Sequence, residues 1–100
     1  MMLLALLAAA APPQAVIDRI SRFIEYKVVD DRQLFIRDER GRWHLATFQG
    51  GDCPRLADAT RLTFDAAPFD RLDRTSAIVA DGSRCPLDSL TRSGPPPKRR

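Results

Sequence analysis

Residues 77–90, AIVADGSRCPLDSL, decide how the rest of the chain reads. Asp81-Gly82 is a two-residue turn signal, because a type I′ turn needs positive φ at both central positions and Asp and Gly tolerate it. The apolar run AIVA precedes the turn and SRCPL follows it, so the stretch predicts a β-hairpin. Pro86 has no N–H to give to a ladder, which predicts that the second strand lies at a sheet edge or carries a bulge. The hairpin also holds Cys85, one of two cysteines in the chain.

The other cysteine, Cys53, stands in GGDCPRL at 50–56. Neither belongs to a C-x-x-C pair, which removes the thioredoxin-type redox motif and the paired-thiolate zinc ribbon. A mixed zinc site needs further ligands and a catalytic thiolate needs a base, and His44 is the one imidazole available to either. A Cys53–Cys85 disulfide is the remaining assignment, and it suits an exported chain with an even cysteine count and a small core. Closing a loop of about 33 residues removes denatured-state entropy worth roughly 3–4 kcal/mol. A domain of this size has only about 5 kcal/mol of net stability, so the bridge is a large share of it.

The rest of the chain repeats the hairpin theme. QLFIRDERGRWHLATFQ, 33–49, predicts two strands around DERG, with Gly41 free to take positive φ. Upstream, VIDRISRFIEYKVV mixes helical spacing (Val16, Ile20, Phe23, Ile24) with strand alternation (Ile24, Tyr26, Val28). Its β-branched and aromatic content predicts a strand from about Ile20 to Val29. Asp30-Asp31 then supplies a turn whose carboxylates satisfy nearby amides. RLADA, 55–59, has room for one helical turn. RLTFDA, 61–66, alternates Leu62 and Phe64 with polar residues, as a half-buried strand does. APFDRLDRT is a loop pinned at Pro68, with Phe69 and Leu72 as its anchors. The sum is a small, mainly β domain of five or six antiparallel strands with at most a short helical turn.

Both ends subtract from the folding unit. Among 100 residues, 44% hydrophobic and 29% charged, residues 1–15 form a signal-like leader: MMLLALLAAAA, with small residues at Ala8 and Ala10, then a Pro12-Pro13 break. The apolar run is too short to span a bilayer, which takes about 20 residues. Residues 16–92 are the domain, and 93–100 a Pro-rich basic tail expected to be disordered. The formal net charge of +3 includes Lys98, Arg99 and Arg100. Without them the signs are mixed along the chain, so no extended basic face for nucleic acid is indicated.

Four segments carry a family resemblance: VVDDRQLFI, GRWHLATFQGGDCPRL, ATRLTFD and LDRTSAIVADGSRCPLDSLTR. In that order, from about Ile17 to Arg92, they resemble domain-of-unknown-function family 6491, a family of short exported bacterial proteins. The resemblance implies an exported, periplasmic or secreted, small β-rich domain, and it implies no reaction. Many similar members have a further cysteine near the start of the mature chain, where this chain has Ala15 and Val16, so lipid anchoring is not expected.

Chemistry-bearing residues are sparse. Trp43 and His44 are strand neighbours and face opposite ways. Trp43 is expected in the core, which makes His44 an ordinary exposed residue; the inverse arrangement would make Trp43 a binding anchor. Ser76, His44 and an aspartate can be written as a triad, but no nucleophile elbow is present. In FDRLDR, 69–74, Asp70 and Asp73 alternate with Arg71 and Arg74, which predicts a self-neutralised loop or, failing that, a surface for an acidic partner. No cofactor is indicated. The expected function is a non-catalytic binding or structural module of the cell envelope. A strand face with Trp43 and His44, or the loop with Arg71 and Arg74, would contact a protein or polysaccharide. An inhibitor of an exported enzyme such as a wall hydrolase is the alternative, and a small hydrolase centred on His44 is a third.

Overall fold

The structure, a computed structural model, describes residues 13–98. Residues 1–12, most of the expected leader, and Arg99 and Arg100 of the tail lie outside the described residues. Six strands form: β1 (Glu25–Asp30), β2 (Gln33–Arg37), β3 (Trp43–Phe48), β4 (Leu62–Asp65), β5 (Ala77–Ala80) and β6 (Ser83–Arg92). All pairings are antiparallel, in the order β1-β2-β3-β6-β5-β4, and the sheet curls into a half-barrel. Two three-stranded meanders are therefore joined through β3 and β6.

The Asp81-Gly82 hairpin forms as expected, with φ of 48° and 87° at the two turn residues. The prediction for Pro86 holds only in part. Its strand is not at an edge but in the middle of the sheet, where it changes partners. Residues 83–86 pair with β5, and residues 87–92 pair with β3. The β3 ladder slips beside the proline, pairing Thr47 with Ser89 but Phe48 with Leu87, so Asp88 is left over as a bulge. Leu87 N–H donates to Ser76 O at 3.0 Å on one side, and Pro86 O accepts Gln49 N–H at 3.1 Å on the other. Carbonyl and nitrogen of a strand residue face the same neighbour, so the missing N–H of Pro86 falls where β3 has already ended.

Two other expectations need correction. The first strand begins at Glu25 rather than near Ile20, because Ile20–Arg22 is a 3₁₀ turn entered by Arg19 at φ 55°. Ile17 and Ile20, both buried, use the three-residue spacing of a turn to reach the core, and alternation starts only after them. RLADA makes turns and no helix, although Leu56 within it is buried.

One core fills the half-barrel. Leu34, Ile36, Ala46, Phe48, Ile78, Leu87 and Leu90 come from the concave face of the sheet. Ile17, Ile20 and Leu72 join from one end, and Cys53 and Leu56 join from the other. The outermost strands β1 and β4 share no ladder, and aromatic rings meet instead. Phe23, just before β1, packs edge-on against Phe64 of β4 at 5.1 Å between centroids, and Tyr26 lies 5.9 Å from Phe23. Residues 93–98 have no regular secondary structure, yet Ser93 N–H donates to Trp43 O at 3.0 Å, and Pro96 and Pro97 share a hollow with Lys27, Val28 and Val29.

The connection from β3 to β4 must pass β6 and β5 to reach the far edge, and it is tied at three places. Cys53 is disulfide-bonded to Cys85 of β6, with the Cα atoms 5.5 Å apart. Asp31, in the β1–β2 turn, accepts Cys53 N–H on its carbonyl and Ala57 N–H on its carboxylate, both at 2.8 Å. Asp81 accepts Arg61 N–H at 2.8 Å and Thr60 N–H at 3.1 Å. The two turn aspartates read from the sequence thus also anchor a segment that is remote in sequence.

With the cysteines 32 positions apart, Cys53→Ser/Cys85→Ser is expected to lose about 3 kcal/mol. Urea unfolding of the pair variant against the oxidised parent checks this, and coincident midpoints would refute it.

Candidate functional site

The strand directions divide the loops between two ends. The disulfide and the anchoring aspartates lie at one end. At the other are the N-terminal turn at 17–24, the β2–β3 turn at 38–42 and the loop from β4 to β5. Three of these segments surround an open hollow of about 520 Å³, lined by Asp18, Arg19, residues Asp38 to Arg40, Arg42, Phe69 and Arg71.

Asp38 organises one wall. Its carboxylate, 3% exposed, accepts the N–H of Arg40 and of Arg42 at 2.9 Å each. It also accepts Arg42 Nε and stands 3.0 Å from His44 Nε2. These bonds close the turn, as an aspartate at its first position does. Burial alone pushes the Asp38 carboxyl up, but the bonds from His44, the two backbone amides and Arg42 outweigh it and hold the pKa down at about 2.

His44 is therefore not an exposed strand residue. It is 1% exposed, while Trp43 is half-buried on the convex face. The register shows why: His44 stands opposite Ile36, and Ala46 and Phe48 pair with Leu90 and Leu87, so His44 shares the core face with them. Trp43 pairs with Arg37, whose guanidinium lies 6.0 Å from the indole centroid and 3.3 Å from Glu25. His44 Nδ1 is buried without a hydrogen-bond partner. Burial lowers the His44 pKa below 6.5, against the opposing pull of Asp38. A neutral imidazole that donates Nε2–H to Asp38 and leaves Nδ1 bare fits this geometry.

The opposite wall is the 67–71 loop. An isolated bridge between Ala67 and Arg71 closes it, with Ala67 N–H donating to Arg71 O at 2.8 Å. The expectation that both Phe69 and Leu72 anchor the loop is half right. Leu72 is fully buried and bridged to Ile17, whereas Phe69 is 88% exposed. Phe69 and Asp70 both have positive φ, 66° and 58°, a conformation costing about 1–2 kcal/mol for each such residue. The loop is held there by Ile20 N–H on Asp70 O at 2.9 Å and by the Ser21 amide and hydroxyl on the Asp70 carboxylate.

The remaining expectations sort as follows. Arg71 lines the hollow and donates Nε to Pro68 O, with its guanidinium 5.9 Å from the Phe69 ring centroid. Trp43, His44 and Arg74 do not line it, and Arg74 is exposed. Ser76 bonds with Asp73 and His44 with Asp38, so the two are not hydrogen-bonded to each other. The aspartates of FDRLDR make no close ion pair with its arginines, although Arg71 helps to lower the Asp73 pKa. Asp70 is occupied by Ser21, and Asp73 by Thr75 and Ser76. Among the described residues, no three His, Cys, Asp or Glu side chains converge as a metal site would require.

No protein-family model, curated protein or solved structure matches the chain. The site rests on its own geometry. Sequence reasoning missed Asp38, Arg40 and the outward Phe69. The one available signal was the aspartate opening DERG, a position where a carboxylate commonly accepts turn amides.

The His44–Asp38 pair sets a pH dependence. Well above pH 6.5 His44 is neutral folded and unfolded and contributes no slope. Below 6.5 the unfolded chain takes the proton first, so stability falls with pH until the depressed folded pKa is reached. Asp38 stabilises the fold above its unfolded value of 3.8, and that contribution is lost as pH falls toward about 2. His44→Gln keeps a donor for Asp38 but does not titrate. Urea unfolding between pH 7 and about 5 should show a smaller loss of stability for this variant than for the parent. Equal losses would refute the assignment.

Proposed function

We propose that this protein is a non-catalytic binding module of the cell envelope, exported to the periplasm or secreted, which engages a partner protein through the 67–71 loop. Membership of the resembled family of short exported bacterial proteins is part of the proposal. The observation that carries the reading is Phe69, 88% exposed at a strained position on a loop pinned from both sides. Burying a phenylalanine contributes about 1.5–3 kcal/mol, and this loop forgoes that while accepting backbone strain. Such an arrangement is costly for a lone domain and useful for one whose aromatic is buried by a partner.

Export is supported by the disulfide and by the leader-like start of the sequence. Among the described residues no helix is long and apolar enough to cross a membrane. The narrower reading, inhibition of an exported enzyme, is favoured by the same pinned loop, because a loop ordered beforehand loses little entropy on entering a cleft. His44 supports no hydrolytic reading: its ring is enclosed and its bonded carboxylate is engaged by three other donors.

Phe69→Ala is expected to leave stability within about 0.5 kcal/mol of the parent, since the ring is outside the core. It should also abolish capture of envelope proteins by the tagged, exported chain. Capture that is equal for parent and variant would sink the proposal.

A further inference from the structure

The charges around the hollow do not cancel, and the imbalance says what kind of partner fits. Two of its arginines are already paired: Arg19 with Glu39 at 3.5 Å and Arg42 with Asp38 at 3.0 Å. Although the positive charge of Arg71 helps to lower the Asp73 pKa, neither Arg40 nor Arg71 makes a close ion pair among the described residues. Both are exposed, and they sit on opposite walls, Arg71 beside the Phe69 ring. Asp70 and Asp73, the carboxylates nearest Arg71 in sequence, are occupied by amides and hydroxyls. One carboxylate of the lining, Asp18, is left to oppose two guanidiniums.

We propose that this end of the half-barrel receives an acidic segment of a partner protein, with Phe69 entering an apolar cleft and Arg40 and Arg71 meeting carboxylates at its rim. This rests on the binding reading above and adds the partner's chemistry. A guanidinium offers a planar fork of donors that suits a carboxylate, and two of them across a hollow fix orientation as well as charge. Nucleic acid fits poorly, because its phosphates repeat along the chain and the hollow offers two guanidiniums rather than an extended basic face. A neutral glycan would leave the excess positive charge of the lining unanswered.

The test is an amide NMR titration of the oxidised protein with a random copolymer of glutamate and tyrosine. A lysine–tyrosine copolymer and alginate, an acidic polysaccharide, are the comparison probes. The glutamate–tyrosine copolymer should shift residues 38–42 and 67–71, and added salt should weaken it. Arg40→Glu/Arg71→Glu should weaken it at least about tenfold, whereas Lys27→Glu, on the convex face, should change it less than about twofold. Tighter binding of alginate at the same residues, stronger binding of the lysine copolymer, or indifference to the double reversal would each overturn the inference. The two readings separate in the envelope capture. Capture that needs Phe69 but survives the double reversal retains the binding module and removes the acidic partner. Capture that ignores Phe69 removes both.

Discussion

β6 holds this fold together, because its two halves are hydrogen-bonded to different strands. Residues 83–86 complete the β4-β5 meander, and residues 87–92 complete the β1-β2 meander through β3. The handover falls at Cys85-Pro86. Proline is tolerated inside the sheet because the partner strand on its nitrogen side has ended. The cysteine beside it binds the crossover that had to pass β6 to reach the far edge. A long connection over a small sheet is entropically loose, and its closure is set by covalent and hydrogen bonds rather than by area. The disulfide, Asp31 and Asp81 grip the crossover at its middle and end, so both meanders share one core.

Much of this was legible locally. Alternation, β-branched content and the Asp-Gly turn locate β2 to β5 to within a residue or two, because each depends on neighbours in sequence. β6, by contrast, runs five residues beyond the SRCPL that the sequence suggested. The cysteine pairing followed from elimination and compartment. Strand order did not follow, since nothing local says that a strand with a proline will find partners on both sides. The parity of β3 was misread for a related reason. In RWHLATF the more apolar set is Trp43 and Leu45, yet the set that faces inward is His44, Ala46 and Phe48. What decides is the fit of Ala46 and Phe48 against Leu90 and Leu87, with Asp38 at hand to satisfy the histidine.

The charged loop forms no close ion pair of its own, although Arg71 acts on Asp73 at longer range. Alternating Asp and Arg suggests mutual neutralisation, but an exposed ion pair between long side chains contributes little and costs rotamer entropy. A short aspartate gains more from a nearby amide or hydroxyl in a fixed turn. The same choice recurs at Asp30, Asp31, Asp38, Asp70, Asp73 and Asp81, all of which accept backbone N–H bonds. Six of the thirteen acids of this chain thus help to shape turns.

The division between ends gives this economy a direction. Cys53, Asp31 and Asp81 secure the crossover at one end, while the exposed Phe69 and the open hollow lie at the other. Local strain persists only where surrounding structure outweighs it, and here Ile17, Ile20 and Leu72 root the strained loops in the core. A hydrophobic tip presented this way is already ordered before contact, so a partner need not supply the entropy of fixing it. On the proposed binding reading, stability and recognition would be governed by different residues: Phe69 stands outside the core and can change without disturbing it, while the cysteines and the buried face of β6 are bound to the fold.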